Sequence, residues 1–131
     1  MQKFSDVNDL VNTLKPEEPV YCIRPNSIKK SVEFFKNKFP GKVLYAVKTN
    51  PDEKVLKIIN DNGIQNFDVA SINEVKLVRK INSKAKVYFM HTVKSRESIK
   101  EAYTKYNFKD FEMFTNNNSV LRLDKAIIEI F

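Results

Sequence analysis

The segment Leu44–Glu53, with the sequence Leu-Tyr-Ala-Val-Lys-Thr-Asn-Pro-Asp-Glu, joins a β-rich run directly to the start of a helix. Tyrosine and valine favour a strand. The Asn-Pro-Asp-Glu part supplies a capping side chain, a proline for the first helical position and acids for the first turn. The helix is predicted to run to about Asn62 and to stop at Gly63. The segment therefore predicts a strand, Lys42–Val47, followed by a helix.

Three further β-rich runs follow at nearly even spacing: Asn66–Val69, Lys86–Met90 and Asp110–Phe114. Strands are thus predicted to begin near residues 43, 66, 86 and 110, each followed by a helix, which indicates βα units and a parallel sheet. A doubly wound sheet and a (β/α)₈ barrel both remain open. The 131 residues are about half of the ~250 that a complete barrel uses. An additional short strand, Pro19–Ile23, is predicted ahead of these units.

Capping residues mark the predicted helix starts. Asn26 is predicted to cap the helix after the first strand. Ser71 with Glu74 three residues later forms a capping box, and Ser95 is predicted to open the next helix. A last helix is predicted after an Asn-rich turn, from the apolar stripe Val120, Leu123, Ile127 and Ile130.

Composition indicates one globular domain. Hydrophobic residues make up 42 % and charged residues 30 %, which differs from the composition of disordered chains. No apolar run approaches the ~20 residues of a membrane span, and the first residues lack the apolar region of a signal peptide. The single cysteine, Cys22, cannot pair within the chain. A cytoplasmic location is therefore predicted.

The net charge of +7 raises the question of nucleic-acid binding. The chain has 19 lysines and 4 arginines, whereas base recognition and bidentate phosphate contacts favour arginine. The lysines are also spread along the chain rather than clustered. No nucleic-acid partner is therefore predicted, although a basic, non-catalytic interaction module remains an alternative.

Polar residues that could carry chemistry fall at the predicted carboxyl ends of strands, where ligands bind in both architectures. A buried strand-end lysine at Lys48 would favour the neutral, nucleophilic amine that carbonyl chemistry needs, or it could simply extend into water. Asp68 could orient a lysine or interact with the next helix dipole. For Glu74 the capping box is a sufficient explanation.

The loop after the third predicted strand holds His91 and Lys94, for which a solvated loop position is the default interpretation. No second histidine or Cys/His cluster accompanies His91, so no metal site is predicted. Only two glycines occur, Gly41 and Gly63. A glycine-rich loop that could surround a phosphate is therefore missing from the sequence.

Two motifs at matching spacing resemble a known family. Tyr45–Asn50 (Tyr-Ala-Val-Lys-Thr-Asn) is similar to the cofactor-lysine strand of the alanine-racemase-like, fold-type III pyridoxal-phosphate enzymes. Phe67–Ser71 followed by Glu74 resembles the Phe-Asp-x-Ala-Ser-x-x-Glu motif of the ornithine/lysine decarboxylase branch. Pro19–Tyr21 is similar to the strand that precedes the barrel in that family. The resemblance covers about residues 19–110.

The resemblance implies a cofactor, pyridoxal 5'-phosphate, and a reaction, the decarboxylation of ornithine or lysine to putrescine or cadaverine in polyamine biosynthesis. Lys48 would carry the cofactor and act with Asp68 in catalysis, while Ala46, Asp68 and Glu74 would adjoin the cofactor. Diaminopimelate decarboxylase and a racemase or other pyridoxal-phosphate-handling relative are alternatives. Ile72-Asn73 stands where the diaminopimelate branch usually has glycines.

The resemblance also implies an incomplete enzyme. Residues 1–18 would form an amino-terminal helical segment and residues 19–131 about the first half of the barrel, without the carboxyl-terminal β domain. Only Lys94 of the family's Asn-Pro-x-Lys motif is present at 91–94, and the resemblance ends after Phe111, where the tail is divergent or frameshifted. We expect the chain alone to be inactive, and a homodimer or a completing partner chain could supply the rest.

Overall fold

The computed structural model describes residues 2–91 and 93–106 with their side chains, and the backbone of residues 112–114 and 120–122. Its elements in chain order are α1 (Val7–Leu14), α2 (Pro25–Lys38), β1 (Tyr45–Ala46), a 3₁₀ helix (Val47–Thr49), α3 (Glu53–Asp61), β2 (Asn66–Val69), α4 (Ile72–Ile81), β3 (Lys86–Phe89), α5 (Arg96–Tyr106), β4 (Glu112–Phe114) and β5 (Val120–Arg122).

The strands β1, β2 and β3 form a parallel sheet in sequence order, which confirms the first three predicted βα units. In the register of this sheet, Ala46 is paired with Asp68, and Asp68 with Tyr88. Residues paired in this way lie on the same face of a sheet. The three side chains therefore share one face, and all three are only half-buried.

The opposite face of the sheet carries the core. Phe67 and Phe89 are each 1 % exposed, and burying an aromatic side chain of this kind contributes about 1.5–3 kcal/mol. They pack in one cluster with apolar residues of α3, α4 and α5, including Leu56, Val75 and Ala102. A doubly wound sheet would need helices on both faces. One helix-covered face and one uncovered face is instead the arrangement of a barrel wall.

Local signals set the boundaries of the middle helices. The Asp52 carboxylate accepts from the backbone N–H groups of Lys54 (2.8 Å) and Val55 (3.2 Å) and caps α3. Pro51 therefore lies before the cap, not at the first helical position. Gly63 follows α3 with φ +99°, a conformation that glycine adopts without steric cost. The predicted stop at Gly63 is confirmed.

The prediction for the entry segment is wrong in two respects. Residues 19–23 form no strand, and Val20 and Tyr21 are 45 % and 67 % exposed. A strand needs a neighbour to take up its backbone hydrogen bonds, and β1 makes no ladder with this segment. Asn26 is also not the cap of α2. Pro25 occupies the helix start, and Arg24 stands at the cap position without a side-chain hydrogen bond.

Strand β1 is shorter than the predicted Lys42–Val47. Only Tyr45 and Ala46 pair with β2, and β1 is an edge strand of the described sheet. The chain then turns into the 3₁₀ helix Val47–Thr49.

The fourth predicted strand is present as β4, but its partner and direction differ from the prediction. β4 pairs antiparallel with β5, Glu112 opposite Arg122, in a separate two-stranded sheet. Val120–Arg122 is thus a strand where a helix was predicted to begin. Val120 favours a strand and Leu121 suits either element, so the pairing with β4 decides. The rest of that predicted helix, 123–130, lies outside the described residues.

Candidate functional site

The cofactor lysine predicted from the sequence lies in the turn that follows β1. Val47 is fully buried, which directs the next side chain away from the core. Thr49 donates from Oγ1 to the carbonyl oxygen of Ala46 at 2.7 Å and closes the turn. Lys48 is consequently exposed at the carboxyl edge of the sheet. Of the two interpretations of Lys48, the one in which it extends into water is confirmed, and β1 ends one residue earlier than predicted.

Asp68 lies near Lys48 on the next strand. It is the third residue of β2, on the open face between Ala46 and Tyr88. Burial raises the pKa of Asp68, while the positive charge of Lys48 is the largest influence that lowers it. No salt bridge joins Asp68 to a lysine within the described part of the chain. Its carboxylate is therefore a partly desolvated acceptor beside an exposed amine.

Glu74 has the predicted capping role. Its backbone N–H donates to Ser71 Oγ at 3.3 Å, and its carboxylate accepts from the Ala70 N–H at 2.9 Å. The side chain thus bonds the backbone just ahead of the helix and orders the turn after Asp68. The charge of Glu74 also raises the pKa of Asp68.

The loop after β3 adds two basic residues at the same edge. His91 is exposed, whereas Lys94 is half-buried, contrary to its default interpretation as a solvated residue. The Lys94 Nζ donates to the carbonyl oxygen of His91 and lies 5.0 Å from the centroid of the Phe89 ring. Burial lowers the pKa of Lys94, and Asp68 counteracts this. The one feature of the sequence that singled out Lys94 was its match to the last residue of the family's Asn-Pro-x-Lys motif.

These residues fit the aldehyde end of pyridoxal phosphate. Within the described residues, the Lys48 amine makes no hydrogen bond or salt bridge and is exposed, so that an aldehyde can reach it. The phosphate end is different, because Gly41 and Gly63 precede β1 and β2 and so lie near the amino ends of the strands. The glycines of this chain supply no phosphate loop at the site.

A cavity of about 610 Å³ lies beside β1 and reaches Ala46, Thr49 and Asn50 at the end of that strand. Apolar side chains of α2, β1 and α3 line it, among them Val32, Phe35 and Ile59. The segment around Tyr21 forms another wall, and the Tyr21 hydroxyl accepts from Asn50 Nδ2 at 2.8 Å. Neither Lys48 nor Asp68 lines this space, so the cavity is not the candidate site.

The described residues hold neither a metal cluster nor a membrane-spanning helix. No group of three or more His, Cys, Asp or Glu side chains there is arranged to hold a metal ion. None of the helices in that part of the chain has the length and apolar character needed to cross a bilayer.

Comparison with known proteins shows the family to which the chain belongs. The family model for the pyridoxal-binding domain of pyridoxal-dependent decarboxylases matches residues 25–125. The chain belongs to this family. Its cofactor is therefore pyridoxal phosphate, and its fold is the amino-terminal portion of the cofactor-binding barrel of fold-type III enzymes. A search of curated proteins gave no match.

Three solved decarboxylase structures are similar to the chain. The arginine decarboxylase of Paramecium bursaria Chlorella virus, bound to agmatine, is 32 % identical with a TM-score of 0.63, over 71 % of this chain and 26 % of the viral one. The ornithine decarboxylase of Entamoeba histolytica is 32 % identical with a TM-score of 0.53, over 60 % and 23 %.

The lysine decarboxylase of Selenomonas ruminantium is 22 % identical with a TM-score of 0.71, over 99 % of this chain and 34 % of its own, and at that identity it supports the fold alone. The chain described here thus spans about a quarter to a third of the length of these three decarboxylases.

Proposed function

We propose that these residues form the first part of the active-site barrel of a basic amino-acid decarboxylase, with Lys48 as the residue that carries pyridoxal phosphate. The observation that carries the proposal is the pairing of an exposed, unbonded Lys48 amine with the half-buried Asp68 at one edge of the sheet. Ornithine or lysine is the proposed substrate. Arginine joins them because the viral relative, at 32 % identity, is an arginine decarboxylase.

Each residue has a proposed part in this site. When bound, pyridoxal phosphate supplies an electron sink for the electron pair that remains when the substrate carboxylate leaves as carbon dioxide. Lys48 holds the cofactor at the strand ends. Asp68 presents an anionic oxygen to the amine of Lys48 or of the substrate, and Ala46, its neighbour in register, leaves the face beside it uncrowded. Glu74 holds the turn that follows Asp68.

We further propose that the 131 residues do not decarboxylate amino acids on their own. The open face around Ala46, Asp68 and Tyr88 needs further strands to exclude water from a reaction centre. The sequence also offers no glycine loop to anchor the phosphate. Strands and a phosphate-binding loop outside these residues would have to supply both. The exposed thiol of Cys22 is consistent with the proposed cytoplasmic location.

Reductive trapping tests the assignment of Lys48. The chain is titrated with pyridoxal phosphate, reduced with borohydride and digested, and the labelled peptides are identified by mass spectrometry. We expect saturable labelling of the peptide that contains Lys48, with an absorbance band near the visible edge that Lys48→Ala removes. Lys84→Ala, which removes an exposed lysine ahead of β3, is the matched control and should leave both signals unchanged.

Labelling spread evenly over the 19 lysines, or an unchanged band in Lys48→Ala, would contradict the assignment of Lys48. Release of carbon dioxide from ornithine, lysine or arginine by the chain alone would contradict the proposed inactivity. The two results are independent, because trapping requires only the lysine and its surroundings whereas turnover requires a closed site.

A further inference from the structure

The turn that carries Lys48 is anchored on both sides of that residue. Ahead of it, the side chain of Val47 is fully buried. Behind it, Thr49 donates from Oγ1 to the carbonyl oxygen of Ala46 at 2.7 Å. These contacts hold the start of the turn against the sheet. The end of the turn is Asn50, and its contacts decide how firmly the whole turn is held.

Asn50 makes three hydrogen bonds, one with its backbone carbonyl group and two with its side chain. The carbonyl oxygen accepts from the Tyr45 hydroxyl at 3.3 Å, and Oδ1 accepts from the Asp52 N–H at 3.2 Å. The third bond runs from Nδ2 to the Tyr21 hydroxyl at 2.8 Å, between residues 29 positions apart in the chain. Of the three bonds, this one alone ties the turn to a distant segment.

The position of Tyr21 is not explained by burial, because its side chain is largely exposed. The segment that holds it lies beside β1, since Ile23 packs against the core and α2 begins at Pro25. Residues 19–23 form no ladder with β1. The Tyr21 hydroxyl is therefore a side-chain link between this segment and the turn that carries Lys48.

The amine of Lys48 depends on that turn for its position. A lysine side chain is long and flexible, and within the described residues the amine of Lys48 makes no hydrogen bond or salt bridge that would hold it. Its backbone is therefore what limits the space that the amine can reach. A mobile turn would spread the amine over more positions, and a displacement of ~1 Å is enough to slow a reaction between positioned groups.

We propose that Tyr21 is a positioning residue of the site, whose hydroxyl holds Asn50 and thereby the turn from which Lys48 reaches the cofactor. The proposal rests on the assignment of Lys48 in the proposed function. Tyr21 acts through Asn50 and not on the cofactor itself. Residues 19–23, which form no strand, thus contribute to the site through one side chain.

The first test measures the mobility of the turn without the cofactor. Backbone ¹⁵N relaxation is recorded for the 131-residue chain, for Tyr21→Phe, which removes only the hydroxyl, and for Tyr106→Phe, which removes a hydroxyl at the carboxyl end of α5. We expect the order parameters of Lys48, Thr49 and Asn50 to fall in Tyr21→Phe alone, with those of α4 unchanged. Equal order parameters for the turn in the parent chain and in Tyr21→Phe would overturn the proposal.

The second test measures how the cofactor is held. Pyridoxal phosphate is titrated into the same three proteins, and the absorbance and circular dichroism of the band near the visible edge are both followed. In Tyr21→Phe the apparent Kd should rise by about two- to tenfold, the range that corresponds to one hydrogen bond. The circular dichroism per bound cofactor should also fall, because a cofactor on a mobile turn adopts more orientations. If both quantities match those of Tyr106→Phe, Tyr21 has no positioning role.

A double-mutant cycle shows whether the effect passes through Asn50. Asn50→Ala removes the group that donates to Tyr21, so Tyr21→Phe should change neither the Kd nor the circular dichroism any further in that background. Additive effects of the two substitutions would mean that Tyr21 acts by another route, which is contrary to the proposal.

The two assignments fail in distinguishable ways. If Lys48 is not trapped specifically but the order parameters of the turn still fall in Tyr21→Phe, the cofactor assignment is wrong and the link between Tyr21 and the turn stands. If Lys48 is trapped specifically but Tyr21→Phe changes neither the mobility of the turn nor the circular dichroism, the positioning role alone is wrong.

Discussion

The two faces of the three-stranded sheet are built for different purposes. One face buries Phe67 and Phe89 almost completely under three helices. The other face carries Ala46, Asp68 and Tyr88 in register, all half-exposed. The same strands thus supply the packing that stabilises the chain and, one residue along, the polar groups of the candidate site. We therefore expect substitutions on the helix-covered face to lower mainly the stability of the fold. Substitutions on the open face should impair mainly the reaction with the cofactor.

The largest effect is expected from the helix-covered face. Phe67→Ala should lower the free energy of unfolding by about 3–5 kcal/mol, because a large aromatic group at the centre of the core is replaced by a cavity. Urea unfolding followed by circular dichroism measures the change. Tyr88→Phe, on the open face of the adjacent strand, is the control. It removes only the hydroxyl bonded by Lys42 and should cost no more than about 1 kcal/mol. Equal losses in the two variants would remove the distinction between the faces.

A smaller loss is expected at the boundary between core and site. Ser71→Ala removes the side chain that accepts from the Glu74 N–H, and losing such a cap costs ~1 kcal/mol. Ser83→Ala, which changes an exposed serine outside a helix cap, should be near neutral. If thermal unfolding shows the same midpoint for Ser71→Ala and the parent chain, the Ser71–Glu74 cap does not stabilise α4.

At Asp68 the expected change in stability has the opposite sign, because removing the charge should stabilise the fold. Because burial raises the pKa of Asp68, the fold favours the protonated carboxyl. The stability that this group contributes is present in full below its ordinary pKa of 3.8 and is lost as pH rises through the raised value in the folded chain. Asp68→Asn keeps the side chain neutral and should therefore modestly raise the free energy of unfolding at pH 7.

The gain in Asp68→Asn should disappear below pH 3.8, where the parent carboxyl is protonated as well. Unfolding curves at pH 3 and pH 7 distinguish this behaviour from a general effect of lost charge. Glu17→Gln, at an exposed position between α1 and α2, serves as the reference for the latter. A loss of stability in Asp68→Asn at pH 7 would mean that the Asp68 carboxylate stabilises the fold.

The smallest effect on stability is expected at Lys48. Its exposed side chain makes no hydrogen bond or salt bridge within the described residues, so Lys48→Ala should change the free energy of unfolding by less than about 0.5 kcal/mol. The same variant is expected to lose cofactor trapping entirely. A clear destabilisation in urea would mean that Lys48 has a structural role and that lost trapping could follow from lost folding.

The predictions from sequence that are correct concern features determined by residues close together in the chain. Asn66–Val69 and Lys86–Phe89 form strands within a residue of the predicted limits, and the Ser71 cap and the Gly63 stop are present. Each of these features depends on side chains within a few residues of the backbone that they affect. The placement of Lys48 and Asp68 at one edge follows as well, because parallel strands have their carboxyl ends together.

What the sequence determined by itself is therefore the order of the βα units and the motifs that mark the decarboxylase family. The tertiary structure decided the rest through contacts between distant residues. It left residues 19–23 without a strand partner, ended β1 at Ala46 and placed Val120–Arg122 against β4. It also half-buried Lys94 against the ring of Phe89, which no local pattern could reveal, because the burial of a charge depends on every element packed around it.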